Sequence, residues 1–117
     1  MGFLTTHVLD THAGRPAEAL PVSLYRIGQV KRQKLLRVVT NADGRCDQPL
    51  LDGESFQGGV YELLFEVGAY FRRRAVNAGE PPFLDVVPIR FGVSRPDQHY
   101  HVPLLVTPWS YSTYRGS

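Results

Sequence analysis

Three ionisable features of this sequence carry chemistry: His7, the pair His99 and His101, and Arg45. An imidazole titrates near neutrality, so it takes up and releases protons under working conditions. A guanidinium stays charged and holds developing negative charge. In "LTTHVLDT", strand alternation puts Thr5, His7, Leu9 and Thr11 on one face and Leu4, Thr6, Val8 and Asp10 on the other. In "HYHVPLLV", the same rule groups His99, His101, Pro103 and Leu105, opposite Val102, Leu104 and Val106. Arg45 directly follows the turn pair Asp43-Gly44. Each feature also has a plain reading. A strand histidine is usually a satisfied or half-exposed side chain, and an arginine after a turn often just steadies it. His99 and His101 on one face resemble the start of a zinc site, but zinc wants three or four ligands and no cysteine or third histidine has matching spacing. We expect no metal and no other cofactor.

The elements that must position these groups are short. "LTTHVLDT" at residues 4–11 reads as a strand, broken by "HAGRPA". Residues 20–30 and "KLLRVVT" read as a hairpin. "NADGR" is a turn whose Gly44 supplies a positive φ. Residues 46–59 are irregular, with room for a short edge strand. "VYELLFEV" alternates cleanly, with Tyr61, Leu63, Phe65 and Val67 on one side. "GAYFRRRAVN" predicts a helix of two to three turns, closed by Asn77 or Gly79. "LDVVPIRFGV" returns to strand, its Pro88 arguing for an edge or a bulge. "PDQHYHVPLLVTP" and "WSYSTYRG" end the series, the latter with Ser112, Tyr114 and Gly116 on one face and Thr113 and Arg115 on the other. Seven or eight strands and one short helix predict an all-β fold. Its form is a two-sheet antiparallel β-sandwich with Greek-key-like connections.

Composition narrows the function. A chain of 117 residues is expected to be one domain over 1–117, and nine prolines with eleven glycines favour turns over long helices. A net charge of +2 gives no excess for nucleic acid, so the basic runs Lys31–Lys34 and Arg72–Arg74 read as a solvated hairpin and a solvated helix face. Cys46 is the only cysteine, so no internal disulfide forms. Beside Arg45 it reads either as an activated thiol or as a small half-buried side chain. No apolar run reaches the length of a membrane span, and "MGFLTTHVLD" lacks the pattern of a secretory signal. We expect a cytoplasmic protein that binds neither membrane nor nucleic acid.

Four motifs in order, "THVLDTHAGRPA", "TNADGR", "PFLDVVPIRFGV" and "HYHVPLLVTPWSYSTYRGS", resemble the 5-hydroxyisourate hydrolases, transthyretin-like enzymes of urate breakdown. The resemblance covers residues 4–117. Its most specific part is the terminal Tyr114-Arg115-Gly116-Ser117, which in that family separates hydrolases from hormone-carrying transthyretins. It implies an eight-strand transthyretin-like sandwich with one helix, a homotetramer, and an active site where two dimers meet. It implies His7, Arg45 and His101 as catalytic residues. It implies substrate contacts from His7, Arg45, Tyr114, Arg115, Gly116 and Ser117. The implied reaction opens the 5-hydroxyisourate ring by hydrolysis, giving 2-oxo-4-hydroxy-4-carboxy-5-ureidoimidazoline on the way to allantoin. Either histidine serves as the base that activates water, with Arg45 on the oxyanion. Tyr114 is then available to bond the substrate, and the Ser117 carboxylate to orient a histidine or a water. The rival reading is a non-catalytic, transthyretin-type carrier of small ligands in the same intersubunit channel. A plain interaction sandwich would explain the strands but not His7, Arg45, His101 and the tail together.

Overall fold

Two sheets face each other across one apolar core, and the alternation seen in the sequence decides which side chains enter it. The computed structural model describes residues 1–116. The first sheet runs β2 (Arg15–Pro16), β1 (Phe3–Asp10), β8 (Tyr100–Val106) and β9 (Tyr111–Thr113), with β5 (Leu51–Asp52) also on β1. The second runs β4 (Arg32–Val39), β3 (Pro21–Ile27), β6 (Gly59–Glu66) and β7 (Val86–Val93). Among the described residues one α-helix, α1 (Val67–Arg73), follows β6, and a single 3-10 turn lies at Gly53–Ser55. The expected inward faces are the observed ones. Leu4 and Val8 of β1, and Val102, Leu104 and Val106 of β8, are buried against Val22, Leu24, Leu63 and Phe65 of the second sheet.

Polar residues on inward faces find partners. Thr6 donates its hydroxyl to the Val102 carbonyl at 2.7 Å. Asp10, buried at the end of β1, accepts from the Tyr70 hydroxyl at 2.8 Å and from the Ala13 amide at 2.9 Å. Burial, then the hydrogen bond to Asp10, pushes the Tyr70 phenol up to about 12. A buried carboxylate is tolerable when its oxygens are bonded in this way. On the outer side of the second sheet, Glu62 accepts from Arg32 at 3.1 Å and Arg90 at 3.2 Å, and the Arg32 guanidinium lies 4.4 Å from the Tyr25 ring centre.

Three details differ from the sequence reading. The second sheet is antiparallel throughout, but in the first β1 and β8 run parallel. Such a pair has no hairpin between its strands, so no local turn signal marks it. Among the described residues the strands number nine because β2 forms inside "HAGRPA". It is two residues of edge pairing, too short to show a period. The helix ends before Asn77. Arg74 caps it, Ala75 takes a left-handed φ of 59°, and the Val76 and Ala75 amides donate to the Phe71 and Arg72 carbonyls. That is a Schellman closure, a form usually served by glycine. Pro88 lies on β7, an edge strand, as its missing N–H requires.

Candidate active site

The site is assembled on the outward face of the first sheet. The free side of β1 is covered in three pieces: β5 at Phe3 and Leu4, Arg45 opposite His7, and β2 at Leu9 and Asp10. The other side of β1 carries β8, with Thr5 opposite His101 and His7 opposite Pro103. Beyond β8, Gly116 pairs with His101. One band across the sheet therefore reads Arg45, His7 with Thr5, His101, Gly116.

Arg45 is held by its turn. The Asn41 side-chain oxygen accepts from the Asp43 amide at 2.9 Å and the Arg45 amide at 3.2 Å, and the Asn41 amide donates to the Arg45 carbonyl at 2.7 Å. Gly44 has φ of 75°, and a Cβ there would strike the Val8 carbonyl. Only glycine allows the turn to lie this close to β1 while the Val8 amide donates to the Gly44 carbonyl at 2.8 Å. The turn motif thus docks Arg45 beside His7.

His7 is oriented by the same turn. Its Nε2 lies 2.8 Å from the Asp43 carbonyl oxygen, which accepts only, so Nε2 carries the proton and Nδ1 is left without one in the neutral ring. Its ring centre is 6.4 Å from that of His101. From β1, Thr5 Oγ1 lies 2.8 Å from Nδ1 of His101 on β8 and 2.9 Å from Nε2 of His99, just before that strand. Burial, and then the Arg45 charge, hold the His7 imidazolium below its usual range. Burial, Arg45, His7 and His99, in that order, do the same for His101. Both rings are therefore neutral at pH 7 and able to accept a proton.

Thr5, His99, His101 and the loop 45–49 line a cleft of about 440 Å³. His7 is not among its lining residues. Cys46 lies in the same wall with its thiol pushed up by burial and by Asp47, which opposes the activated-thiol reading. A second hollow of about 240 Å³ between α1 and the loop after it holds the exposed Arg72–Glu80 pair and no cluster of imidazoles.

The tail divides. Gly116 donates its amide to the His101 carbonyl at 2.7 Å, and a Cβ on it would stand 2.8 Å from His101 Cδ2. Glycine at this position is what leaves the ring its place. Among the described residues the Arg115 side chain makes no hydrogen bond with His7 or His101: its guanidinium lies 3.9 Å from the Tyr100 ring centre and donates to the Gln98 side chain and the His99 backbone carbonyl. Tyr114 is exposed. Ser117, given a substrate contact by the sequence reading, lies outside the described residues. The structure thus brings His7, Arg45, His101 and Gly116 together and leaves Tyr114 and Arg115 apart. Sequence reasoning gave Thr5 and His99 no role in catalysis. Both stood on the histidine faces, but only the register of β1 on β8 shows that they meet.

A two-sheet β-sandwich with imidazoles and a guanidinium grouped on one outward sheet face is a scaffold with a candidate acid–base site. A family model described as HIUase/Transthyretin family matches residues 4–116, and the chain belongs to that family. It is 59% identical over 117 residues to a 5-hydroxyisourate hydrolase of Ralstonia nicotianae, with both chains covered in full. Among solved structures it is similar to an (S)-allantoin synthase, at 50% identity and a TM-score of 0.94, over 99% of this chain and 44% of that one. It is also similar to the 5-hydroxyisourate hydrolase of Klebsiella pneumoniae, at 37% identity and a TM-score of 0.83, with all of both chains covered.

Proposed function

We propose that this chain, acting as a single 1–117 domain, hydrolyses 5-hydroxyisourate to 2-oxo-4-hydroxy-4-carboxy-5-ureidoimidazoline in urate breakdown. The observation that carries the reading is the cleft lined by His101 and Arg45, with the His7 ring centre 6.4 Å from that of His101. The full-length similarity to named hydrolases supplies the substrate.

The difficult step is attack of water on a ring amide carbonyl. His101 lines the cleft, and its Nε2 has no hydrogen-bond partner among the described residues, so it takes the proton of the attacking water. Negative charge grows on the carbonyl oxygen, and Arg45 stabilises it. His7, fixed through Nε2–H, offers its Nδ1 lone pair to a hydrogen bond from the attacking water and so holds it, and the proton that His101 has taken up then passes to the departing ring nitrogen. In the tail, Gly116 gives His101 its room and Arg115 anchors the segment on Tyr100, while the substrate contacts that the resemblance implies for Tyr114 and Ser117 belong to the assembled oligomer in this reading.

The assembly in this reading is a homotetramer with its sites at the dimer–dimer interface. Supporting it, β7 and β9 end their sheets in the protomer, and Trp109, Tyr111 and Tyr114 are large exposed rings near β9. Light scattering of the purified protein tests it, a monomer mass being the contrary outcome. We place the protein in the cytoplasm, where the lone Cys46 stays reduced, and cell fractionation checks this. To test the reaction itself, 5-hydroxyisourate is generated from urate with a urate oxidase and its ultraviolet decay followed. Added protein is expected to speed the decay, and a decay no faster than the spontaneous one would sink the proposal.

A further inference from the structure

We propose that Thr5 is a positioning residue that locks His101 in the Nδ1–H tautomer by sharing one hydroxyl between His101 and His99. The inference rests on His101 being the base. A hydroxyl has one hydrogen to give, and it stands within bonding distance of two ring nitrogens, at 2.8 Å and 2.9 Å. Two arrangements satisfy both contacts. In the first, Thr5 donates to His101 Nδ1 and accepts from His99 Nε2–H. His101 then carries its proton on Nε2 and has no lone pair to offer the cleft. In the second, His101 Nδ1–H donates to Thr5, and Thr5 donates to His99 Nε2. His101 Nε2 is then a base, and neutral His99 carries its proton on Nδ1.

The second arrangement has a further property. When His101 Nε2 accepts the proton of water, Nδ1–H already donates to Thr5, so no hydrogen bond has to reverse. In the first, protonation at Nδ1 would leave two donors facing each other. The backbone supports the chain of contacts: Thr5 is opposite His101 in the β1–β8 register, and His99 lies two residues before His101 on the same face. The Phe3 ring packs against His99 with centres 4.5 Å apart, steadying the far end. His99 thus serves as the terminal acceptor that fixes which way the Thr5 hydrogen points.

The test compares Thr5→Val, which keeps the shape and removes the hydroxyl, with Thr5→Ser, which restores it. Thr5→Val is expected to lower kcat about tenfold or more with KM little changed, since a misheld catalytic group loses rate rather than binding. Thr5→Ser is expected to recover most of the loss. Nitrogen-15 NMR of the imidazoles reads the tautomers directly: His101 as Nδ1–H in the native protein at pH 7.5, and a mixture or the Nε2–H form in Thr5→Val. A thermal midpoint for Thr5→Val close to native excludes a folding defect. If that variant is unfolded, the NMR of the native protein alone decides, and His101 in the Nε2–H form overturns the inference. Full turnover by Thr5→Val also overturns it. Failure of the underlying reading looks different, because His101→Ala would then keep its turnover whatever Thr5→Val does.

Discussion

The Gly116 Cα sits where a single methyl group would crowd the His101 ring, at 2.8 Å from Cδ2. Gly116→Ala is therefore expected to displace the ring and lower kcat about tenfold or more, with little change in thermal midpoint. Native turnover in that variant would remove Gly116 from the positioning of His101. His101→Ala and His7→Ala are each expected to lose about 10²–10⁴ in turnover while the fold persists, checked by the same decay assay and by circular dichroism. At this scale the sequence was informative. Parity alone put His7 and His101 on outward faces, and "NADGR" announced the turn that carries Arg45. Thr5 was hidden because a threonine in a strand is ordinary, and its meaning comes from a residue 96 positions away. The role of Gly116 was equally hidden, since close packing leaves no trace in alternation.

Elements show where local rules are overridden by tertiary contacts. The helix closes on Ala75 at φ 59°, a conformation that disfavours side chains, because Val76 must turn inward beside the core. Ala75→Gly is expected to stabilise the fold by about 0.5–1 kcal/mol, read as a rise in thermal midpoint of roughly 2–5 °C. Tyr70 ties α1 to the end of β1 through Asp10. Tyr70→Phe leaves the buried Asp10 carboxylate short of a donor and is expected to cost about 1–3 kcal/mol, measured by urea unfolding. The strands with clear alternation, β1 and β6, were legible to within a residue, whereas the segment expected for β8, 96–108, began four residues before the observed Tyr100–Val106. The two-residue strands β2 and β5 exist only through their pairing with β1, so periodicity cannot announce them.

Across the whole molecule, the two depressed histidines make stability and rate depend on pH in the same direction. In the unfolded chain each imidazole takes up a proton near 6.5. In the folded protein they do so only at lower pH, so the unfolded state binds more protons between the two values. The stability contributed by the neutral rings is complete above pH 6.5 and is lost as pH falls through their depressed folded values. Thermal midpoints at pH 7.5 and 5.5 check this, the lower being expected at pH 5.5. The catalytic rate is expected to hold level from pH 7 upward and to fall on an acid limb below 6.5. A limb above 7 would contradict the neutral assignment of the rings.

The parallel joining of β1 to β8 also governs when the protein can begin to work. Thr5 and His101 come from opposite ends of the chain, and Gly116 follows fifteen residues after His101. During synthesis β1 emerges first and waits, its neighbour not yet made, while the β3–β4 hairpin and β6 can already pair. High contact order of this kind is associated with folding in milliseconds to seconds rather than microseconds. An incomplete chain can therefore hold much of one sheet and have no acid–base site. Pulse-labelled hydrogen exchange should find the β3–β6 amides protected before those joining β1 to β8.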